Sequence, residues 1–156
     1  MLPPSTPLAR LANSQHSPFG RWRLTRAAAL RVRLIAPLRA RVQELRAGVC
    51  RATISPHRRI RLADGALDPT AISALAQLSA LLVMELSTPA VLEWAAHGLT
   101  LEYLRRAESS VYSLARLDKT DWSGTSTVGV PVTVTDAAGR EVARAVISFA
   151  MAARTD

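Results

Sequence analysis

DPTAISALAQLSALLVMELSTPAVLEWAAHGLTLEYLRRA, residues Asp68 to Ala107, is the stretch that decides the fold. Asp68 followed by Pro69 is a helix start: the carboxylate caps the first free N–H groups, and proline at the first position loses no hydrogen bond. From Ala71 to Leu86 every residue except Ser73, Gln77, Ser79 and Glu85 is apolar. A helix apolar almost all round must be wrapped by other structure. It should stop near Ser87, with Pro89 just beyond. The periodicity then changes from helical to alternating: Leu99, Leu101 and Tyr103 against Thr100, Glu102 and Leu104. This predicts a strand that runs out onto the pair Arg105-Arg106.

The wrapping has to come from the strand-rich second half of the chain. Val111 to Leu117 reads as a strand. Val128, Val130, Val132 and Val134 alternate with Gly129, Pro131, Thr133 and Thr135, the pattern of a half-buried strand. Asp136-Ala137-Ala138-Gly139 turns the chain, and Glu141 to Met151 returns antiparallel. Pro131 has no N–H for a sheet ladder, so its strand is expected at an edge or a bulge. Upstream, short strands are expected over Arg39–Leu45 and Val49–Ile54, turning at Ala47-Gly48, with a basic loop from Ser55 to Leu67. The fold class is α+β: a long central helix wrapped by a curved antiparallel β-sheet, the hotdog architecture.

At 156 residues the chain is long enough for one domain with a real core. Residues 1–18 read as a flexible N-terminal arm and residues 19–156 as the single domain. A basic helix is expected over about Phe19 to Ala36, with Trp22, Ala29 and Val32 on its apolar face, Leu30 and Leu34 beside them, and Pro37 as its stop. The net charge is +8, and Lys119 is the only lysine. From Arg10 to Arg46 nine arginines face a single acid, Glu44. Such a segment suits an anionic partner: a nucleotide phosphate, an anionic membrane by peripheral contact, or nucleic acid. Nucleic acid is the poorest match, since aromatic residues make up only 4% and no reading motif accompanies the arginines. An arginine-rich coding bias accounts for the same residues without function.

Cys50 is the only cysteine, and His16, His57 and His97 have no ligand spacing, so neither a metal site nor another cofactor is expected. No uninterrupted apolar run approaches a membrane span, and the N-terminal segment lacks the apolar core of a secretory signal. A cytoplasmic bacterial protein is expected.

Two features together carry a resemblance. One is Arg61, Gly65 and the helix TAISALAQLSALLVMEL; the other is GLTLEYLRRA followed by the hairpin DAAGREVARA. Over about Phe19 to Ala153 the chain resembles a poorly characterised branch of the hotdog superfamily, related to the PaaI-type acyl-CoA thioesterases. The resemblance implies a homodimer or dimer of dimers, with an acyl-CoA or other acyl thioester lying between subunits. It also implies an Arg-Asn-His cluster and a second His before the helix, and an acid inside it. Arg61 and Gly65 match. Leu62 and Ala63 stand where Asn and His are expected, Asp68 takes the place of the second His, and Gln77 that of the acid.

Thioester hydrolysis needs a donor for the developing oxyanion and a way to present water or a nucleophile. A helix N-terminus supplies the donor, and Asp64 to Thr70, with Gly65 for close approach, is placed to do so. The structural reading is that Asp68 only caps and Gly65 only turns. Thr70, Ser73 and Gln77 fall on one narrow face of the helix, with Ser79 pointing the other way. Gln77 cannot act as a base but can orient a water; an interface amide explains it equally. A base would have to be Asp64, Asp68 or a residue of a partner subunit. Ser73 as nucleophile would need an adjacent base, and no His has a sequence position near it. Arg61, Arg105 and Arg106 are candidates for the phosphates of a coenzyme A moiety, or a solvated basic surface. The function expected is acyl-CoA hydrolysis at a dimer interface, the alternative a non-catalytic acyl-binding or assembly protein on the same fold.

Overall fold

The computed structural model describes residue 12 and residues 17–31, 35–118, 121–124 and 126–154. Most of the expected N-terminal arm lies outside these residues, as do Val32, Arg33, Leu34 and Lys119. The elements are helix α1 (Pro18–Arg31), a single turn α2 (Ile35–Leu38), strands β1 (Arg41–Arg46) and β2 (Val49–Ile54), and the long helix α3 (Pro69–Ser87). Strands β3 (Leu92–Tyr103), β4 (Val111–Arg116), β5 (Thr127–Asp136) and β6 (Glu141–Ala153) complete the chain.

The six strands form one antiparallel sheet in the order β1-β2-β4-β5-β6-β3. Its inner face is set by strict alternation: Val128, Val130, Val132 and Val134 of β5 are buried beside Ala143, Ala145, Ile147 and Phe149 of β6. Helix α3 lies across that face. Leu75, Leu78, Leu82, Val83 and Met84 are completely or almost completely buried against it. By length and composition α3 could cross a membrane, but 61% of its most apolar stretch is buried inside the fold. Each Leu or Met removed from water here contributes about 1.5–3 kcal/mol, which is why this helix organises the domain.

Both ends of α3 stand where the sequence puts them. Asp68 is the N-cap, its carboxylate accepting from the Thr70 N–H, and Thr88 closes the C-terminus with its N–H on the Met84 carbonyl. Gly48 turns β1 into β2 at φ 79°, and a side chain there would meet the Leu117 carbonyl at 2.7 Å. Its N–H reaches the Ser87 hydroxyl at 2.9 Å, tying the hairpin to the far end of α3.

Three expectations need correction. Pro131 is in β5, an interior strand rather than an edge, and not at the β5–β6 bulge, which falls between Val134 and Thr135. The ladder from β4 reaches β5 only as far as Val132, so Pro131 pairs with Val146 of β6 alone. The strand is interior but its first stretch, Thr127 to Pro131, has one side without a β4 partner, which is where a residue without an N–H is tolerated. Pro37 does not stop a helix either; it sits inside α2, which runs on to Leu38. And Trp22 does not face the core. The buried face of α1 is Gly20, Leu24 and Ala28, with Trp22 55% exposed.

The two sheet edges differ. Beside β1 lies α1, whose Thr25 hydroxyl accepts from the Val42 N–H at 3.1 Å. Among the described residues, strand β3 has β6 on one side and no strand on the other. Leu99 and Tyr103 pair with inner-facing residues of β6, yet remain 44% and 48% exposed.

Candidate functional site

The N-terminus of α3 is held from two directions. The Asp68 N–H donates to the Ile60 carbonyl and the Leu67 N–H to the Ala107 carbonyl, both at 2.8 Å. Residues 60 and 107 belong to the segments that precede the helix and follow β3, so the helix entrance is clamped between them. Gly65, at φ 89°, turns the loop where a side-chain-bearing residue would be strained. Tyr103, at the end of β3, donates its hydroxyl to the Pro69 carbonyl at 2.9 Å.

Beyond the turn, Asp64 receives the Ala66 N–H at 3.1 Å and pairs with Arg106 at 2.6 Å. The Ala66 amide first, and the Arg106 guanidinium after it, hold the Asp64 carboxyl below its ordinary value of 3.8. A carboxylate held below its ordinary value is a weaker base, and Asp64 is already paired with Arg106, so it is better suited to orienting Arg106 than to activating water. Arg105 donates to the Glu141 carbonyl at 2.9 Å, anchoring its side chain on the start of β6. Arg61 is exposed at the mouth of the same loop.

Two cavities flank this helix end. The larger, about 370 Å³, is lined by Leu62, Leu67, Ile72, Tyr103, Leu104, Arg105 and Arg106 among others. The smaller, about 240 Å³, lies on the other side, between Pro37, Leu38, Arg59, Ile60, Asp68, Thr70 and Ala74. The chain therefore brings two largely apolar cavities, each with arginine in its lining, to either side of one helix N-terminus.

The oxyanion-donor expectation meets an obstacle of geometry. Pro69 has no N–H, Thr70 gives its own to Asp68 Oδ1, and those of Ala71 and Ile72 go to the Asp68 carbonyl. The N–H groups of Gly65, Ala66 and Asp68 are likewise taken up within the segment that precedes the helix, and that of Leu67 by the Ala107 carbonyl. A substrate carbonyl at this point must displace or share one of these bonds.

Ser73 and Gln77 stand one turn apart on the side of α3 turned away from the sheet. Both are half-buried, and the Gln77 amide donates to the Ser73 hydroxyl oxygen at 3.3 Å. A donor gives Ser73 no base, so the hydroxyl is not activated as a nucleophile. The pair does leave the Gln77 carbonyl and the Ser73 O–H free to hold a water or a partner group. Neither residue lines the two cavities.

Ser79 is completely buried on the opposite side, bonded to the Leu75 carbonyl at 3.1 Å and to Ser113 Oγ. Cys50 is buried beside it, and burial pushes its thiol up to about 12. His97 is exposed at a bulge in β3, while His57 is half-buried with Nε2 3.4 Å from the Leu38 carbonyl. Neither is near Ser73 in hydrogen-bonding terms: the hydrogen bonds of His57 go to Leu38 and Arg59. The sequence read Tyr103 only as a strand residue, and Asp64 and Arg106 as a candidate base and a candidate phosphate ligand without pairing them. Their one signal is position, at the strand end and in the loop that the fold brings together.

Solved structures share this architecture. A crystal structure from a structural-genomics programme is 24% identical, with a TM-score of 0.80, covering 94% of this chain and 99% of that one. A probable thioesterase from Pseudomonas aeruginosa is 18% identical, with a TM-score of 0.74 and coverages of 85% and 96%. The PaaI protein of the Escherichia coli phenylacetic acid degradation operon is 12% identical, with a TM-score of 0.65 and coverages of 83% and 95%. At these identities the likeness establishes the fold, that of the thioesterase-family hotdog proteins. No curated protein matches the chain. A family model does, over residues 20–151, and the chain belongs to that family, described as a domain of unknown function, DUF4442.

Proposed function

We propose that this chain binds an acyl thioester, with acyl-CoA as its substrate class, and hydrolyses it at a site completed by a second copy of the chain. The observation that carries this reading is the Ser73–Gln77 pair on the open side of an otherwise apolar helix. A half-buried amide and hydroxyl at such a place need further hydrogen-bond partners, and a thioester with its attacking water supplies them. The fold of the structural neighbours, some of them named thioesterases, supports the same class.

In this reading the acyl chain lies along apolar surface beside α3, and Arg105 and Arg106, with Arg61 at the rim, meet the phosphates. Gln77 orients the water. The uncovered inner face of β3 and its open edge are the surface a second copy would pair with, giving a homodimer or a dimer of dimers. The partner would supply the base that this chain's own helix lacks. Such a protein would work in the cytoplasm, where acyl-CoA is found.

A second reading has its own observation. The occupied N–H groups from Gly65 to Ile72 favour a protein that holds an acyl group without turning it over. One experiment separates them: release of free thiol from short-, medium- and long-chain acyl-CoAs, with binding measured in parallel. Turnover that falls at least about tenfold in Gln77→Ala, with binding kept, establishes hydrolysis with Gln77 placing the water. Binding without turnover in the parent chain makes it an acyl-binding protein, and absence of both removes the thioester reading.

A further inference from the structure

Helix α1 presents to the outside what a core would normally take in. Its inward face is Gly20, Leu24 and Ala28, and Thr25 is bonded to β1. On its outer side Phe19 is 66% and Trp22 55% exposed, stacked with ring centroids 5.8 Å apart. The Arg23 guanidinium lies 6.0 Å from the Phe19 ring centre and that of Arg26 5.5 Å from Trp22. Arg21 is exposed as well, and the helix sequence PFGRWRLTRAAALR contains no acid. Glu44, the first acid in the chain, is paired with Arg46 and Arg51 on the first two strands.

Leaving Phe and Trp together in water is unfavourable unless something covers them. The same chain buries Phe149 against Trp94, so its core does accept aromatic rings. Arginines stacked on the rings hold them side by side while leaving the guanidinium N–H groups to reach outward for phosphate oxygens. The helix lies along the β1 edge, so it offers one face about 21 Å long. Indole and phenyl rings flanked by guanidinium groups match the boundary between headgroups and acyl chains of an anionic bilayer. A second copy does not match, because it would bring the same guanidinium groups against themselves. We propose that the Phe19–Trp22–Arg23–Arg26 face docks the protein on an anionic phospholipid surface, independently of what the helix α3 site does.

The test is co-sedimentation of the full chain with vesicles of phosphatidylcholine alone and of phosphatidylcholine mixed with phosphatidylglycerol. The parent protein binds the anionic vesicles and releases them as salt is raised. Phe19→Ser with Trp22→Ser, and separately Arg23→Gln with Arg26→Gln, each lower the partition at least about tenfold. All four side chains are exposed, so folding is kept; should the aromatic pair of changes fail to fold, the arginine pair decides. Failure of the parent to bind anionic vesicles, or unchanged binding in a folded variant, overturns the proposal. So does a fall in molar mass by light scattering for Phe19→Ser with Trp22→Ser, which would assign the face to a second copy. Salt-sensitive binding to duplex DNA by a parent that ignores the vesicles would assign it to nucleic acid instead.

Discussion

Two polar pairs that involve helix α3 look alike on paper and live in opposite surroundings. Ser79 and Ser113 are sealed under the sheet beside Cys50, and their hydroxyls bond to each other and to the Leu75 and Ala52 carbonyls. Ser73 and Gln77, on the other side of the same helix, bond to each other and keep spare capacity toward the outside. The sealed pair does structural work. The open pair is where chemistry or recognition can enter, since only there can a newcomer find hydrogen-bonding groups without opening the core.

The sharpest way to break this comparison is to injure the sealed side. Leu75→Ala removes a fully buried side chain between α3 and the sheet and should cost about 2–5 kcal/mol in urea denaturation. A cost under about 1 kcal/mol would show that α3 is not packed as described. Next comes Ser79→Val, which deletes the hydroxyl shared with Ser113 and adds volume. It should cost about 1–3 kcal/mol, and the Cys50 thiol should become accessible to a maleimide that does not react with the parent chain.

At the helix entrance, Asp68→Ala removes the cap and should cost about 1 kcal/mol by the same measurement; no loss would mean that the clamp from residues 60 and 107 suffices without it. A smaller effect is expected of Asp64→Asn, and it depends on pH. The Asp64 carboxyl is lower in the folded chain than its ordinary value of 3.8, so its contribution is present above that value. It is lost as pH falls through the lower, folded value. Parent and variant should therefore differ in melting temperature near neutrality and converge in strong acid; a gap that persists there points to shape rather than charge. The smallest stability effect belongs to Gln77→Ala, within about 0.5 kcal/mol of the parent, even as thioester turnover drops. A large loss of stability would move Gln77 to the structural side of the comparison.

Much of the fold could be read from particular residues. Asp68-Pro69 and Pro89 bracket α3, and the Val128–Val134 alternation with Asp136 to Gly139 defines a strand and its turn, because these signals act within a few residues. What could not be read depends on neighbours remote in sequence. Pro131 sits in an interior strand because β4 ends early, and nothing beside Pro131 says where β4 ends. The face of α1 is hidden for a different reason: size suggests that Trp22 goes inward, whereas the buried face is made by Gly20, Leu24 and Ala28. At the candidate site the residue types were legible but their juxtaposition was not. Asp64 and Arg106 are joined only because β3 returns to the start of the helix it follows.

Strand β3 carries an extra residue at His97, where its pairing with β6 slips between Ala96 and Gly98. That bulge kinks what would otherwise be a twelve-residue ruler of unsatisfied backbone groups. A straight edge of that length would template stacking of chain upon chain without limit. A kinked edge is a poorer template, because a further strand can pair along it only in register with the kink. One inserted histidine thereby bears on whether the protein stays in solution at the concentrations a cell produces.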